Sequence, residues 1–330
     1  MVQLLGKEVG PTGFGLMGLT WRAKPCSQEQ AFEAMREAIQ QGNIFWNGGE
    51  FYGIPEYNSM TLLAQYFEKY PEDADKVILS IKGGMDPTTH VFDGSPEGTR
   101  RTIDNCLRQL KGRKKLDMFE FARRDQNADM KVTFETIQKE YIDTGKVGGI
   151  SLSEVRAETI HEAAKVAKIV ACEVELSLFA TDVIHNGVAE ACRQYDIPLV
   201  AYSPIGRGFL TGQIKSYDDI PEDSYLRHIP RFQPGGNFEN NIKLVHQVEE
   251  LAKQKGCSPA QLAISWVRAL NGRPGMPTII PIPGATTAER VRENAQIVEL
   301  TDKEMAAIDK ILDSFKPLGR RYPDFVPIET

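Results

Sequence analysis

No two cysteines in this sequence stand close enough to make a redox or metal motif. The five, Cys26, Cys106, Cys172, Cys192 and Cys257, are scattered through 330 residues without a CxxC spacing. That argues against a disulfide framework and against a cysteine-bound metal, and it suits reduced thiols. Long apolar runs are missing as well. None approaches the roughly 20 residues a membrane span needs, and Met1 to Gly10 lacks the apolar stretch of a secretory signal. Nor is there an excess of basic charge. A net charge of −6 gives neither nucleic acid nor an anionic membrane a reason to bind in bulk. The expectation is a globular protein of the cytoplasm, with the nucleus as a second compartment, a monomer being compatible with everything in the sequence.

What is present is alternation. With 41% hydrophobic and 25% charged residues the composition is that of an ordinary folded chain. Short β-rich runs recur between longer helical patterns, one pair for every 30 to 40 residues or so, the size of a βα unit. Ser27 and Gln30 frame a capping box, and Gly42 ends the helix they open. Strands are expected at Gly13–Leu16, Ile44–Trp46, Val77–Ile81, Leu116–Phe121, Val147–Leu152, Ile169–Glu175, Pro198–Tyr202 and Thr278–Ile280. Helices are expected between them, among them Pro55–Lys69, Lys131–Thr144, Val183–Tyr195, one opened by a box at Thr286 and Glu289, and a last one at Thr301. The rhythm breaks only at about 206–240, rich in Gly, Pro, Asp and Asn, which reads as a long functional or mobile loop.

Eight such repeats fit one α/β domain over residues 1–330, a (β/α)8 TIM barrel with an N-terminal extension and extra C-terminal helices. A barrel alone needs roughly 250 residues. The rival is an open dinucleotide-binding sheet, for which Gly13-Phe14-Gly15-Leu16-Met17-Gly18 has the GxGxxG spacing. Pro25 forbids a helix starting at those glycines, so the match is read as accidental.

Barrel sites lie at the C-terminal ends of strands. There the second strand runs into Asn47-Gly48-Gly49-Glu50-Phe51-Tyr52-Gly53 and the third into Lys82-Gly83-Gly84. A phenol is a poor proton donor near neutral pH, and a nearby ammonium makes it a better one by stabilising the phenolate. Taken alone, Tyr52 as part of the barrel rim and Lys82 as a solvated charge is an equal reading.

The flanking residues point further. Phe51-Tyr52-Gly53, Ile81-Lys82-Gly83, Gly145-Lys146-Val147-Gly148-Gly149-Ile150-Ser151-Leu152-Ser153, the run from Ala201 to Gly212 and Ile280-Pro281-Ile282-Pro283-Gly284 together resemble the aldo-keto reductase superfamily. Leu19-Thr20-Trp21-Arg22, Phe45 to Ser59 and Leu116 to Arg123 resemble its fungal pyridoxal reductase branch. The resemblance implies reduction of a small aldehyde, pyridoxal to pyridoxine in vitamin B6 metabolism, by hydride from NADPH. It makes Tyr52 the proton donor and Lys82 its tuning partner.

Two members of the usual catalytic set depart. The aspartate position holds Asn47 and the histidine position holds Ala122. Asparagine can bond Lys82 but not neutralise it, and alanine cannot orient a carbonyl. Glu120 shares a strand face with Ala122. Two readings of it are equal: it points into the barrel and supplies the missing negative charge, or it is protonated or water-bound in the barrel layer. Pyridoxal carries an ortho phenol and a pyridine nitrogen able to polarise its own aldehyde, which would make the histidine dispensable.

For the cofactor, the resemblance implies Ser153 and Glu173 at the carboxamide, with Glu173 in place of glutamine and so able to accept but not donate. Glu154 stands where an asparagine is usual. Tyr202 would stack on the nicotinamide, and Ser203, Pro204, Ile205, Gly206, Gly208 and Leu210 would line the pyrophosphate. Thr286 would open a helix toward the 2′-phosphate, with Arg290 and Asn294 at that phosphate and the adenine. A broad-specificity aldehyde or ketone reductase would share these motifs. So would a non-catalytic NADPH-binding partner protein resembling potassium-channel β-subunits.

Overall fold

A computed structural model describes residues 2–86 and 89–328. Eight parallel strands form its centre: β1 Phe14–Gly15, β2 Phe45–Gly49, β3 Ile78–Gly83, β4 Met118–Phe121, β5 Ile150–Ser153, β6 Ile169–Glu175, β7 Leu199–Tyr202 and β8 Ile279–Ile282. They neighbour one another in chain order. The first and last then meet: Gly13 N–H donates to the Pro281 carbonyl at 2.8 Å, Gly15 N–H to that of Pro283 at 3.2 Å, and Gly15 bridges Gly284 in parallel. The sheet is therefore a closed (β/α)8 barrel. Closure needs bare backbone at Gly13, because a Cβ there would stand 2.8 Å from Ile282 Cγ2 and from the Phe45 carbonyl.

Alternation along the strands sorts the side chains. Trp46, Leu79, Ile81, Phe119, Val174, Leu199 and Ile279 face outward into a continuous core shared with the helices. Phe45, Ile78, Met118, Ala171, Val200 and Ile280 face inward and form an apolar floor. A hairpin, Val2–Leu4 paired with Lys7–Val9, closes that end by setting Leu4 and Val9 against the floor. One step further along the same inward faces come Asn47, Ser80, Glu120, Glu173 and Tyr202, so the upper half of the barrel is polar.

The helices of the ring start where capping chemistry allows. Ser27, Ser95, Ser258 and Thr301 each accept the N–H of the third helical residue. Four expected elements differ. The helix expected from Pro55 begins at Ser59, because Asn58 caps it after a tight hairpin, Gly53–Ile54 with Tyr57–Asn58. The one expected over Lys131–Thr144 is α-helical only to Ile137 and ends in a π turn over Gln138–Ile142. Val183–Tyr195 is two helices, Asp182–His185 and Val188–Gln194, separated at Gly187 with φ +89°. A helical turn does start within the glycine motif, at Met17–Thr20, and it stops at Trp21.

The expected long loop is largely structured. It contains four short 3-10 turns, and Phe209 packs against Phe232 at 4.8 Å and Phe238 at 5.4 Å between ring centres. Its closing helix starts at Asn237, inside the range expected to be loop. The extra C-terminal helices are Ala288–Ala295 and Asp302–Ser314. Beyond them the chain returns across the barrel mouth. Among the described residues no helix is long and apolar enough to cross a membrane, no group of side chains could hold a metal, and all five cysteines are free.

Candidate active site

The upper polar layer is built by register. Lys82 on β3 lies level with Gly49 on β2 and Glu120 on β4, and Ser153 on β5 lies level with Glu173 on β6. Inward alternation turns their side chains toward one another. Lys82 Nζ sits 3.1 Å from Glu120 Oε1, pairs also with Glu173 Oε1, and donates to Asn47 Oδ1 at 3.3 Å. Asn47 Nδ2 donates to Glu120 at 3.2 Å and to Glu173 at 2.6 Å. All four side chains are buried.

Two carboxyl groups around one ammonium in a water-poor space cannot both ionise cheaply. Burial, with the adjacent Glu120 adding to it and Lys82 opposing, pushes the Glu173 carboxyl up to about 8. Burial disfavours the Lys82 ammonium too, yet Glu120 and Glu173 outweigh it and raise its pKa. At neutral pH the cluster is then Lys82 ammonium with one net carboxylate, electrically balanced. Glu120 does point inward onto Lys82, as its alternation with Ala122 predicts. A protonated Glu173 carries a donor that an ionised one lacks.

Tyr52 stands on the loop after β2. Gly49 makes room for it, since a Cβ there would lie 2.9 Å from the phenol ring, and Thr20 Oγ1 anchors its carbonyl at 2.7 Å. Its outer face is covered by Trp21, stacked at 5.1 Å and 24°, with Phe51 edge-on. Burial pushes the phenol up to about 12, while the Lys82 charge pulls it down and Glu173 and Glu120 push it up. Tyr52 is thus a neutral hydroxyl at physiological pH, in the field of Lys82.

A second charged group lies across the mouth. Glu154, with φ +51°, accepts the hydroxyl of Tyr202 at 2.9 Å and the Glu175 N–H at 3.0 Å. Arg321, from the C-terminal tail, reaches both Glu154 (3.1 Å) and Glu175 (2.9 Å), and Arg207 reaches Glu175 at 3.3 Å. Burial opposes ionisation of Glu154, but Arg321 and Arg123 outweigh it and hold its pKa low. The next tail residue, Tyr322, has its hydroxyl 2.8 Å from that of Tyr202. Its ring lies under the guanidinium groups of Arg207, at 4.4 Å, and Arg123, at 5.3 Å. Trp21, Arg123, Glu175, Arg321 and Tyr322 have no role that their sequence pattern announces. The Trp21 and Arg123 segments carry a signal only as part of the branch resemblance.

Of the expected cofactor residues, Ser153 Oγ is buried beside Glu173 without a hydrogen-bond partner in the structure. An orphaned hydroxyl in a polar layer fits a ligand amide. After β7 the backbone is left-handed at Ser203, Gly206, Arg207 and Gly208, with φ of +52°, +57°, +58° and +92°, the conformation that turns N–H groups into an anion-binding concavity. Pro204, Gly206 and Leu210 are buried there, and Ile205 is half-buried.

The N-terminus of the helix after β8 departs from expectation. Its cap is Thr287, whose hydroxyl accepts from Arg290 N–H at 3.3 Å, and the helix runs Ala288–Ala295. Thr286 lies just outside, its carbonyl taken by Gln30 at 2.7 Å. Arg290 pairs with Glu293 at 2.6 Å, and Asn294 is buried.

With this geometry in place, the comparisons with known proteins agree. Residues 11–313 match the model of the aldo/keto reductase family. The chain is 42% identical to "Probable pyridoxal reductase 2" of Schizosaccharomyces pombe, over 96% of each chain. A Saccharomyces cerevisiae protein with a provisional pyridoxal reductase name is 39% identical, over 94% of this chain and 95% of its own. A glycerol dehydrogenase structure from Gluconobacter oxydans superposes with a TM-score of 0.82 at 20% identity, over 99% of this chain and 98% of that one, which speaks for the fold. The chain belongs to the aldo/keto reductase family, and it is an oxidoreductase.

Proposed function

We propose that the protein reduces pyridoxal to pyridoxine with NADPH, and that Tyr52 gives the proton. The observation that carries this reading is the balanced buried cluster of Lys82, Glu120, Glu173 and Asn47 beside the Tyr52 phenol. NADPH, when bound, supplies the hydride. Everything else is the work of the chain.

Tyr52 holds its proton on the phenolic oxygen until negative charge develops on the substrate oxygen. Lys82 then stabilises the phenolate left behind, and Glu120 keeps Lys82 charged and aimed. Asn47 bonds both carboxyl groups and Lys82, so it orders the cluster in place of an acid. Ser153 and a protonated Glu173 hold the carboxamide, and the Tyr202 ring backs the nicotinamide. Ser203, Pro204, Ile205, Gly206, Gly208 and Leu210 cradle the pyrophosphate. Thr286, Arg290 and Asn294 serve the adenosine end, provided that Arg290 exchanges Glu293 for the 2′-phosphate. The names of the fungal relatives favour pyridoxal. The site favours it too, since Ala122 offers a carbonyl no help and pyridoxal can polarise its own.

The test is NADPH oxidation with pyridoxal, with a panel of plain aldehydes, and with the Tyr52→Phe variant. We expect pyridoxal to be preferred, and Tyr52→Phe to lose roughly 100-fold or more in kcat while still binding NADPH. Equal rates on plain aldehydes would make this a broad aldehyde reductase. No turnover with any carbonyl, beside tight NADPH binding, would make it a cofactor-binding partner protein.

A further inference from the structure

The strand that should carry a carbonyl-orienting side chain ends in a methyl group. β4 finishes at Phe121, and Ala122, nearly buried, occupies the position where the resemblance places a histidine. The neighbouring residue, Arg123, turns away from the strand toward the C-terminal tail. Its guanidinium donates to the Ala122 carbonyl and to the Pro327 carbonyl, and covers the ring of Tyr322. The residue next to Ala122 therefore holds Tyr322.

The tail is seated rather than draped. Asn241 donates to the Leu318 carbonyl at 2.8 Å and accepts the Leu318 N–H at 2.9 Å. Gly319, with φ +82°, passes Arg231 so closely that a Cβ would stand 2.7 Å from its nitrogen. Arg321 is buried in its two ion pairs. Tyr322 is consequently fixed in the mouth but remains partly exposed.

Proton accounting gives its hydroxyl a direction. Glu154 is held ionised by Arg321, so it can only accept, and the single hydroxyl proton of Tyr202 goes to it. Across the 2.8 Å contact between the two phenols the proton must then belong to Tyr322. Its O–H is a donor aimed at the residue expected to back the nicotinamide. Tyr322 is also close enough to Tyr52 for its charge to act on that phenol.

We propose that Tyr322 supplies, from the C-terminal tail, the hydrogen bond to the substrate carbonyl that Ala122 cannot make. This rests on the reductase reading above. A rotation of its hydroxyl moves the proton from Tyr202 to the substrate oxygen, beside the proton held by Tyr52. Arg123 and Arg207 lie over the ring and hold it in place in the mouth.

The test uses the full chain, wild type, Tyr322→Phe, and Tyr322→Phe combined with Ala122→His, with pyridoxal and with benzaldehyde. For Tyr322→Phe we expect kcat to fall roughly 30-fold or more, with the NADPH dissociation constant, read by fluorescence titration, within twofold of wild type. The added histidine should recover at least tenfold and bring a new limb to the pH profile near the ordinary histidine pKa of about 6.5. Tyr322→Phe within twofold of wild-type kcat overturns the proposal. So does a loss that the histidine fails to recover, which would assign Tyr322 to tail packing alone. A wild-type protein inactive on both aldehydes overturns the reductase reading and this one with it, and that failure is recognisable because it needs no substitution to appear.

Discussion

Glu173 is the residue whose chemistry departs most from its type. Its carboxyl, pushed up to about 8 mainly by burial, is protonated at neutrality although an ordinary glutamate in the unfolded chain is ionised. The sign of the linkage follows: a raised folded-state pKa stabilises the fold fully below pH 4.5, and that stability is lost as pH rises from there through 8. Thermal melts between pH 5 and 9 should therefore show a decline that Glu173→Gln flattens. At pH 9 the variant should be the more stable of the two. A variant that declines as steeply as wild type would mean that Glu173 is ionised throughout. The inward position of Glu120 was legible in the sequence, because alternation along a strand decides which way a side chain faces, whereas Glu173 came to the site by the family resemblance. Its protonation was not legible, since that depends on Glu120, two strands away, meeting it across the barrel.

Elements were legible where their signals are local. Ser27, Ser95, Ser258 and Thr301 cap the helices that their spacing announces, and Ile169–Glu175 is a strand over the range its β-branched pattern predicts. Signals in competition were misread: Asn58 takes the cap from Pro55, and Thr287 takes it from Thr286. The tail carries no periodicity at all. Its contacts span up to 204 positions, as between Arg123 and Pro327, so nothing near Leu318 hints at them. Its docking hangs on Gly319, where both the left-handed backbone and the passage of Arg231 forbid a side chain. Gly319→Ala should lift the tail from the mouth. Limited trypsin digestion, followed by mass spectrometry, should then release the segment beyond Arg321 roughly tenfold faster than from wild type. An unchanged rate would mean that the ion pairs of Arg321 alone keep the tail in place.

At the scale of the molecule, one apolar core runs between the barrel and its ring of helices, from Phe14 near the start to Ile308 near the end. From a core shared in this way we expect the chain to unfold as one unit. Calorimetry should give one endotherm, and two separable transitions would contradict that organisation. The barrel was legible in the alternation of β-rich and helical runs, which repeats often enough to close a ring. The glycine motif at Gly13–Gly18 was legible as a misleading one, and its actual use is geometric, since Gly13 and Gly15 are where the ring joins itself.

That seam has a consequence in time. As the chain emerges from the ribosome, β1 is among the first strands made, yet one of its two neighbours, β8, is among the last. Until Pro281 to Gly284 have been synthesised, the backbone of Gly13 and Gly15 has no partner on that side, and the growing sheet carries an open edge. The apolar floor residues of β2, β3, β4, β6 and β7 wait beneath it. A contact of such long range closes slowly and leaves an intermediate prone to self-association. The Val2–Val9 hairpin, available from the outset and already turned toward that floor, is placed to shield it while synthesis finishes.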